Sequence, residues 1–156
     1  MNWLNLNYES IDRPREETDI TQARMWEILA EVKRQVPDPE QRIICLSLYG
    51  SQNYKLNSET SDIDTECFIF PTVEDFIFNK NMFSTCVNTE YGTCHIKDVR
   101  AAFNELRKSS PNMLELFASP YMIINKEYAH IWNTICFNVD YNWQRQLFGR
   151  YIKLTF

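Results

Sequence analysis

The chain has 156 residues, 44% of them hydrophobic and 14% aromatic, with three glycines and a formal net charge of −5. That length and apolar content predict one domain with a real core, and the acidic balance excludes a broad basic surface for long duplex nucleic acid. No apolar run reaches the ~18 residues of a membrane span and the start lacks the regions of a signal peptide, so a cytoplasmic setting is expected; the five cysteines include no CxxC pair, which argues against a zinc site.

Residues 1–18 read as an extended arm, tied to the body by Trp3, Leu4 and Leu6. A helix follows. Met25, Ile28, Leu29, Val32 and Val36 recur at helical spacing and form one apolar stripe. Thr18 or Asp19 is placed to cap its start, and Pro37 and Pro39 to end it. Residues 42–49 are β-rich and mostly apolar, as in a strand buried on both faces. Gly50 breaks that strand. The spacing then predicts a helical turn or two over 51–56, a polar loop over 57–61, and a second strand over 62–70 that Pro71 stops. Residues 73–83 suit either a short helix or a loop covering a site. A third strand is expected within 85–96.

Asp98 caps a helix whose apolar residues are Val99, Ala102, Phe103 and Leu106. Ser110 and Pro111 restart a short helix through Phe117, with Ser as N-cap and Pro at the first helical position. Tyr128, Ile131, Trp132 and Ile135 mark a further helix capped by Asn125, and 141–154 suits another. The part from 121 to 156 is therefore expected to be helical. Its apolar end, Leu154-Thr155-Phe156, points to a truncated chain or to a last element packed on the core. The order predicts an α+β fold, a small mixed β-sheet with flanking helices, in a single domain over 1–156.

Two features carry chemistry. Gly50-Ser51 follows an apolar strand, and a Gly-Ser turn opening a helical turn offers backbone N–H groups to a phosphate. Asp62 and Asp64 stand at i and i+2, on one face of an extended segment. Paired carboxylates suit Mg²⁺, which prefers oxygen ligands and is held by one or two carboxylates plus substrate phosphates. Together they read as a site for a metal-bound nucleoside triphosphate.

These residues resemble the signature of the polymerase-β-type nucleotidyltransferase superfamily. The finer pattern, Gly50-Ser51-x-x-Tyr54-x-Leu56 followed by Ser61-Asp62-x-Asp64, is similar to a branch of nucleotidyltransferases of bacteria and phages. A second stretch agrees: Asp98-Val99-Arg100 opening a helix, then Lys108-Ser109-Ser110-Pro111-Asn112-Met113-Leu114-Glu115-Leu116-Phe117, where Ser110 replaces the branch's first Asn. The resemblance spans residues 42–120. It implies a nucleotidyltransferase fold and transfer of a nucleoside monophosphate from an NTP to an acceptor hydroxyl, with release of pyrophosphate. It implies Asp62 and Asp64 as catalytic metal ligands, Gly50, Ser51 and Ser61 as nucleotide contacts, and a two-ion Mg²⁺ site.

The resemblance also implies a third carboxylate on the strand before the Asp98 helix. That acid is expected near position 93, which is Thr93. Glu90 is the nearest upstream acid and the candidate for a further metal ligand. His95 shares the parity of Thr93, and Asp98 reads more simply as an N-cap. The acceptor is open among an RNA 3′ end, a protein side chain and a small molecule; no long duplex and no membrane is expected. A second hypothesis is a catalytically degenerate nucleotide-binding regulatory module that lacks the third carboxylate. A third is an interaction protein without nucleotide affinity.

Other residues carry plainer readings. Glu66 shares the face of the two aspartates and reads as a solvated edge residue or a further ligand. Tyr54 reads as packing behind the turn, and His130 as structural. Glu115 and Asn112 read as helix capping and salt bridging. Lys97, Arg100, Arg107 and Lys108 read as a solvated helix face or the lining of a phosphate or RNA cleft. Arg145, Arg150 and Lys153 form a late basic cluster.

Overall fold

The apolar stripe that begins at Met25 belongs to the longest helix, α1 (Arg15–Gln35), and Met25, Ile28, Leu29, Val32 and Val36 are all buried. The computed structural model describes residues 3–7, 15–54, 56–57, 61–108 and 110–135, with the backbone alone for 3–7 and 15–18. The helix starts earlier than expected, so Thr18 and Asp19 lie inside it and not at its start. Glu16 and Glu17 explain the extension, because both are good helix formers and acidic side chains favour the positive N-terminal end. The expected arm is correspondingly divided: Trp3–Asn7 forms a strand, β1, and the helix takes Arg15 onward.

A one-turn helix α2 (Pro39–Arg42), preceded by Asp38 at φ 50°, reverses the chain into β2 (Ile43–Leu48). The other strands are β3 (Thr65–Ile69), β4 (Ser84–Thr89), β5 (Gly92–Asp98) and β6 (Tyr121–Asn125). They form one six-stranded sheet in the order β1-β6-β2-β3-β5-β4. The β3–β5 pair is parallel and the other four are antiparallel. The architecture is α+β with a mixed sheet and flanking helices. Every residue of β2, β3 and β6 is buried, as continuous apolar strands covered on both faces require, whereas edge strand β4 is largely exposed.

One face of the sheet packs on α1 through Leu46, Leu48, Cys67, Ile69, Ile96 and Ile123. The other packs on α4 (Val99–Arg107), α5 (Pro111–Ala118) and helical residues 129–135. There Phe68, Phe117 and Trp132 form an aromatic cluster, with the Phe117 and Trp132 rings stacked at 4.6 Å. The Asp98 cap is present: its carboxylate accepts from the Arg100 N–H at 2.8 Å. Ser110 occupies the N-cap position of α5 without a side-chain cap bond, and the Asn125 side chain accepts from the Glu127 N–H at 3.2 Å.

Several expectations are corrected. The single strand expected within 85–96 is a hairpin, β4 and β5, turning at Glu90 and Tyr91. The part expected to be helical from 121 begins with β6, a short apolar run that pairs with both β1 and β2. The helix expected over 141–154 lies outside the described residues. Residues 73–83 contain a short helix, α3 (Val73–Ile77). Phe103 is 40% exposed and stands off the α4 stripe. Among the described residues, no helix is long and apolar enough to cross a membrane.

Candidate functional site

Strand β2 ends at Leu48 and its antiparallel neighbour β3 begins at Thr65, so the two ends share one edge of the sheet. Gly50-Ser51 leaves the first end and Asp62-Ile63-Asp64 enters the second. The Asp pair precedes β3 and does not lie within it, a correction to the strand expected from residue 62. Two backbone bonds nevertheless hold the segment extended. Tyr49 N–H donates to the Asp64 carbonyl at 3.0 Å, and Ile63 N–H donates to the Tyr91 carbonyl at 2.7 Å. Ile63 is buried in the α1-side core, while Asp62 is exposed and Asp64 half-buried. The period-2 alternation that puts both carboxylates on one side therefore survives outside the ladder. Gly92 makes the close approach possible, because a Cβ there would stand 2.4 Å from the Ile63 carbonyl oxygen.

Gly50 has φ 87°, a conformation suited to glycine, and Ser51–Tyr54 forms a 3-10 turn with Ser51 exposed. This turn is held from α5. Glu115 Oε1 accepts from the Gly50 N–H at 2.6 Å and from Asn53 Nδ2 at 3.2 Å. Asn53 Nδ2 also donates to the Leu48 carbonyl at 3.1 Å, and Ser119 Oγ donates to Asn53 Oδ1 at 3.1 Å. Glu115 is thus a clamp on the Gly-Ser turn; among the described residues it forms no salt bridge of the kind expected. The Gly50 N–H is engaged by it, which leaves Ser51 as the turn's donor toward an anion. Tyr54, 59% exposed, is not packing behind the turn. Its phenol pKa is raised by desolvation and then by the charge of Glu115 and a hydrogen bond to it.

Across the sheet, the parallel β3–β5 register pairs Thr65 with Cys94 and Glu66 with His95. One step back along both chains, Asp64 falls opposite Thr93. The strand neighbour of the Asp pair therefore offers a hydroxyl where a third acid was expected. Glu66 is only 4% exposed, which overturns the solvated-edge reading. Lys97 Nζ lies 3.1 Å from its Oε1 and 3.2 Å from its Oε2, and 3.7 Å from Glu105 Oε1. Lys97 stands on β5 and its side chain is 24% exposed, so it belongs to the site face and not to a solvated helix. Burial raises the Glu66 pKa, and the Lys97 charge counters part of that rise. The Tyr49 phenol is pushed up to about 12, first by burial and then by the negative charges of Asp64 and Glu66.

The remaining candidates are placed as follows. Asp98 is 1% exposed and binds the Arg100 guanidinium as well as the α4 N-terminus. Arg100 is thereby engaged, while Arg107 and Lys108 are exposed. Glu90 sits in the β4–β5 turn and lines a shallow groove with Glu27, Glu31 and Arg34 of α1. Ser61 is half-buried directly before Asp62; His130 and Asn112 are exposed. Arg145, Arg150 and Lys153 lie outside the described residues.

As oxygen donors, Asp62 and Asp64 suit a hard cation such as Mg²⁺. Among the described residues, no group of three or more His, Cys, Asp or Glu side chains converges to hold a metal. No family model matches the chain, and no curated protein matches it.

Proposed function

We propose that this chain is a Mg²⁺-dependent nucleotidyltransferase with a nucleotidyltransferase fold, acting in the cytoplasm. It moves a nucleoside monophosphate from an NTP to an acceptor hydroxyl and releases pyrophosphate. One observation carries the reading: the Gly50-Ser51 turn and the Asp62/Asp64 pair meet at one sheet edge, joined by the bond from the Tyr49 N–H to the Asp64 carbonyl. Bound Mg²⁺ supplies charge neutralisation of the phosphates. Asp62 and Asp64 hold it. Ser51 and Ser61 contact the triphosphate, and Gly50 gives the turn its shape while Glu115 fixes that shape from behind. The acceptor is an RNA 3′ end, a protein side chain or a small molecule; a net charge of −5 disfavours a long duplex.

A second reading is a nucleotide-binding regulatory module without turnover. The position of Thr93 opposite Asp64 favours it, because a two-carboxylate site holds nucleotide more readily than it activates an attacking hydroxyl.

The test measures binding of each of the four NTPs with Mg²⁺, and pyrophosphate release with total RNA as acceptor. The Asp62→Asn/Asp64→Asn variant runs beside the wild type. Release that vanishes in the variant supports the transferase. Binding without release selects the regulatory module. Absence of any NTP binding refutes both.

A further inference from the structure

We infer that this chain associates with a second copy of itself through an exposed apolar lobe formed by residues 73–83. In that span Val73, Phe76, Ile77, Phe78, Met82 and Phe83 are 41–76% exposed, and α3 has no buried residue. A helix so short is not stable in water by propensity alone; it is normally held by the apolar face it buries. Here that face stands in solvent.

The lobe is nevertheless well fastened. Thr72 Oγ1 accepts from the Asp75 N–H at 3.0 Å and caps the helix. Asn79, at φ 46°, turns the chain back. The Lys80 N–H then donates to the Asp75 carbonyl at 3.0 Å, and Lys80 Nζ donates to Glu74 Oε1 at 2.6 Å. The Arg100 guanidinium donates to the Asp75 carbonyl at 3.3 Å and ties the lobe to α4. Asn104 Nδ2 lies 3.8 Å from Met82 Sδ, next to Phe103, which is 40% exposed. The apolar side chains therefore form one patch on a fixed support.

Size and charge select the occupant. At about 150–250 Å² for an aromatic side chain and somewhat less for Val, Ile and Met, the patch leaves roughly 700 Å² of apolar surface in solvent. That exceeds the ~300–600 Å² patch of a typical monomer and approaches the ~800 Å² that each partner contributes to a stable interface. The rim carries one acid and one base, Glu74 and Lys80, which pair within each copy; Asp75 is engaged by the Thr72 hydroxyl at 2.6 Å. Across a two-fold axis Glu74 and Lys80 can exchange partners, so two copies meet here without like-charge repulsion despite a net charge of −5. The lobe runs into β4 (Ser84–Thr89), which has no charged residue and, among the described residues, pairs only with β5. Edge strands usually carry charge or proline against such pairing. A two-fold axis sets identical edges antiparallel, the arrangement that also brings patch to patch. The guanidiniums beside the lobe, Arg42 and Arg100, are tied to backbone carbonyls, so the surround is not the basic one that a nucleic acid or an anionic membrane needs. The lobe follows the end of β3 opposite to the Asp pair, and the inference stands apart from the proposed function.

Sedimentation velocity of the full chain across micromolar concentrations tests it, with Phe76→Asp and Phe78→Asp as separate variants checked for fold by far-UV circular dichroism. The wild type is expected to pass reversibly from monomer to dimer, and each variant to weaken the dimer by about thirtyfold or more. A wild type that stays monomeric throughout overturns the inference. Hydrogen exchange in that monomer then separates the other occupants: protected amides over 73–83 indicate a cover from within the chain, and open ones a partner of another kind. A dimer that the folded variants keep also overturns it, because the contact then lies elsewhere. Hydrogen exchange on the wild type above and below the dimer concentration needs no variant. Protection over 73–83 is expected to rise with dimer, and unchanged exchange there refutes the assignment.

Discussion

Replacing Gly92 with alanine tests how the Asp pair is held. Gly92 has φ 148°, and a Cβ built there meets the Ile63 carbonyl oxygen at 2.4 Å and the Ile63 N and C atoms at 2.8 Å. These are backbone atoms inside a buried segment, so no flexible side chain can yield. The unfavourable φ costs about 1–3 kcal/mol, and forced displacement of packed structure costs about 1–3 kcal/mol more. A total loss of about 2–6 kcal/mol follows. Gly50→Ala is the control: φ is 87° there, but nothing lies within 4 Å, so only the strain of about 1–2 kcal/mol applies. Urea unfolding followed by far-UV circular dichroism measures both. Thermal midpoints should fall by about 2–4 °C for each kcal/mol lost. Ile63 lies between the two aspartates, so Gly92→Ala should also weaken Mn²⁺ binding. If Gly92→Ala costs no more than Gly50→Ala, the close approach does not exist and the argument for a pinned Asp pair fails.

Glu115→Ala removes the acceptor shared by the Gly50 N–H and Asn53, with an expected loss of about 1–3 kcal/mol in urea unfolding. It should also weaken NTP binding, and Glu115→Gln, which keeps a carbonyl oxygen in place, should recover most of both; equal damage from the two variants counts against a clamp. The Glu66 prediction concerns pH. Its folded pKa lies above the ordinary 4.5, so the folded chain holds that proton more tightly than the unfolded chain. The resulting stabilisation is complete below the unfolded value and is lost as pH rises through the folded one. Wild-type stability minus that of Glu66→Gln should therefore fall as pH rises above the ordinary carboxyl value of 4.5, and a flat or rising difference contradicts the assignment.

The parts of the fold visible in the sequence are those with a strong period or an unbroken apolar run. The stripe from Met25 to Val36 has helical spacing and buries as one face. The Ile43–Leu48 run lies between two covered faces and shows it. The β4–β5 hairpin escaped detection because Ser84–Thr89 is an edge strand with one buried residue, and its Glu90-Tyr91 turn lacks the Asn-Gly or Asp-Gly chemistry of a hairpin signal. Strand β6 escaped because five apolar residues have no period that distinguishes strand from helix.

The candidate site was legible in its residue types and spacing, since Gly50-Ser51 and Asp62/Asp64 are local patterns. Its support was not. Glu115 meets Gly50 across 65 positions of sequence, and Lys97 meets Glu66 across 31, through a register that no local pattern encodes. Only the co-occurrence of the two family-like stretches hinted that α5 and the turn belong together.

The strand order has a consequence for synthesis. Trp3 pairs with Asn125, and β6 stands between β1 and β2. As the ribosome extends the chain, β1 emerges first but its partner emerges last. At about 5–20 residues per second, the early segment waits about 6–24 s for that partner. Meanwhile β2, β3, β5 and β4 can assemble, because their pairings fall between residues 43 and 98. The Gly-Ser turn and the Asp pair belong to this early half. Their clamp, Glu115, and the strand that completes the sheet arrive together from the late half. The nascent chain thus acquires its charged edge before it acquires the element that fixes it, and β6 is the piece whose delayed or failed insertion leaves β1 and β2 as open edges for another nascent chain.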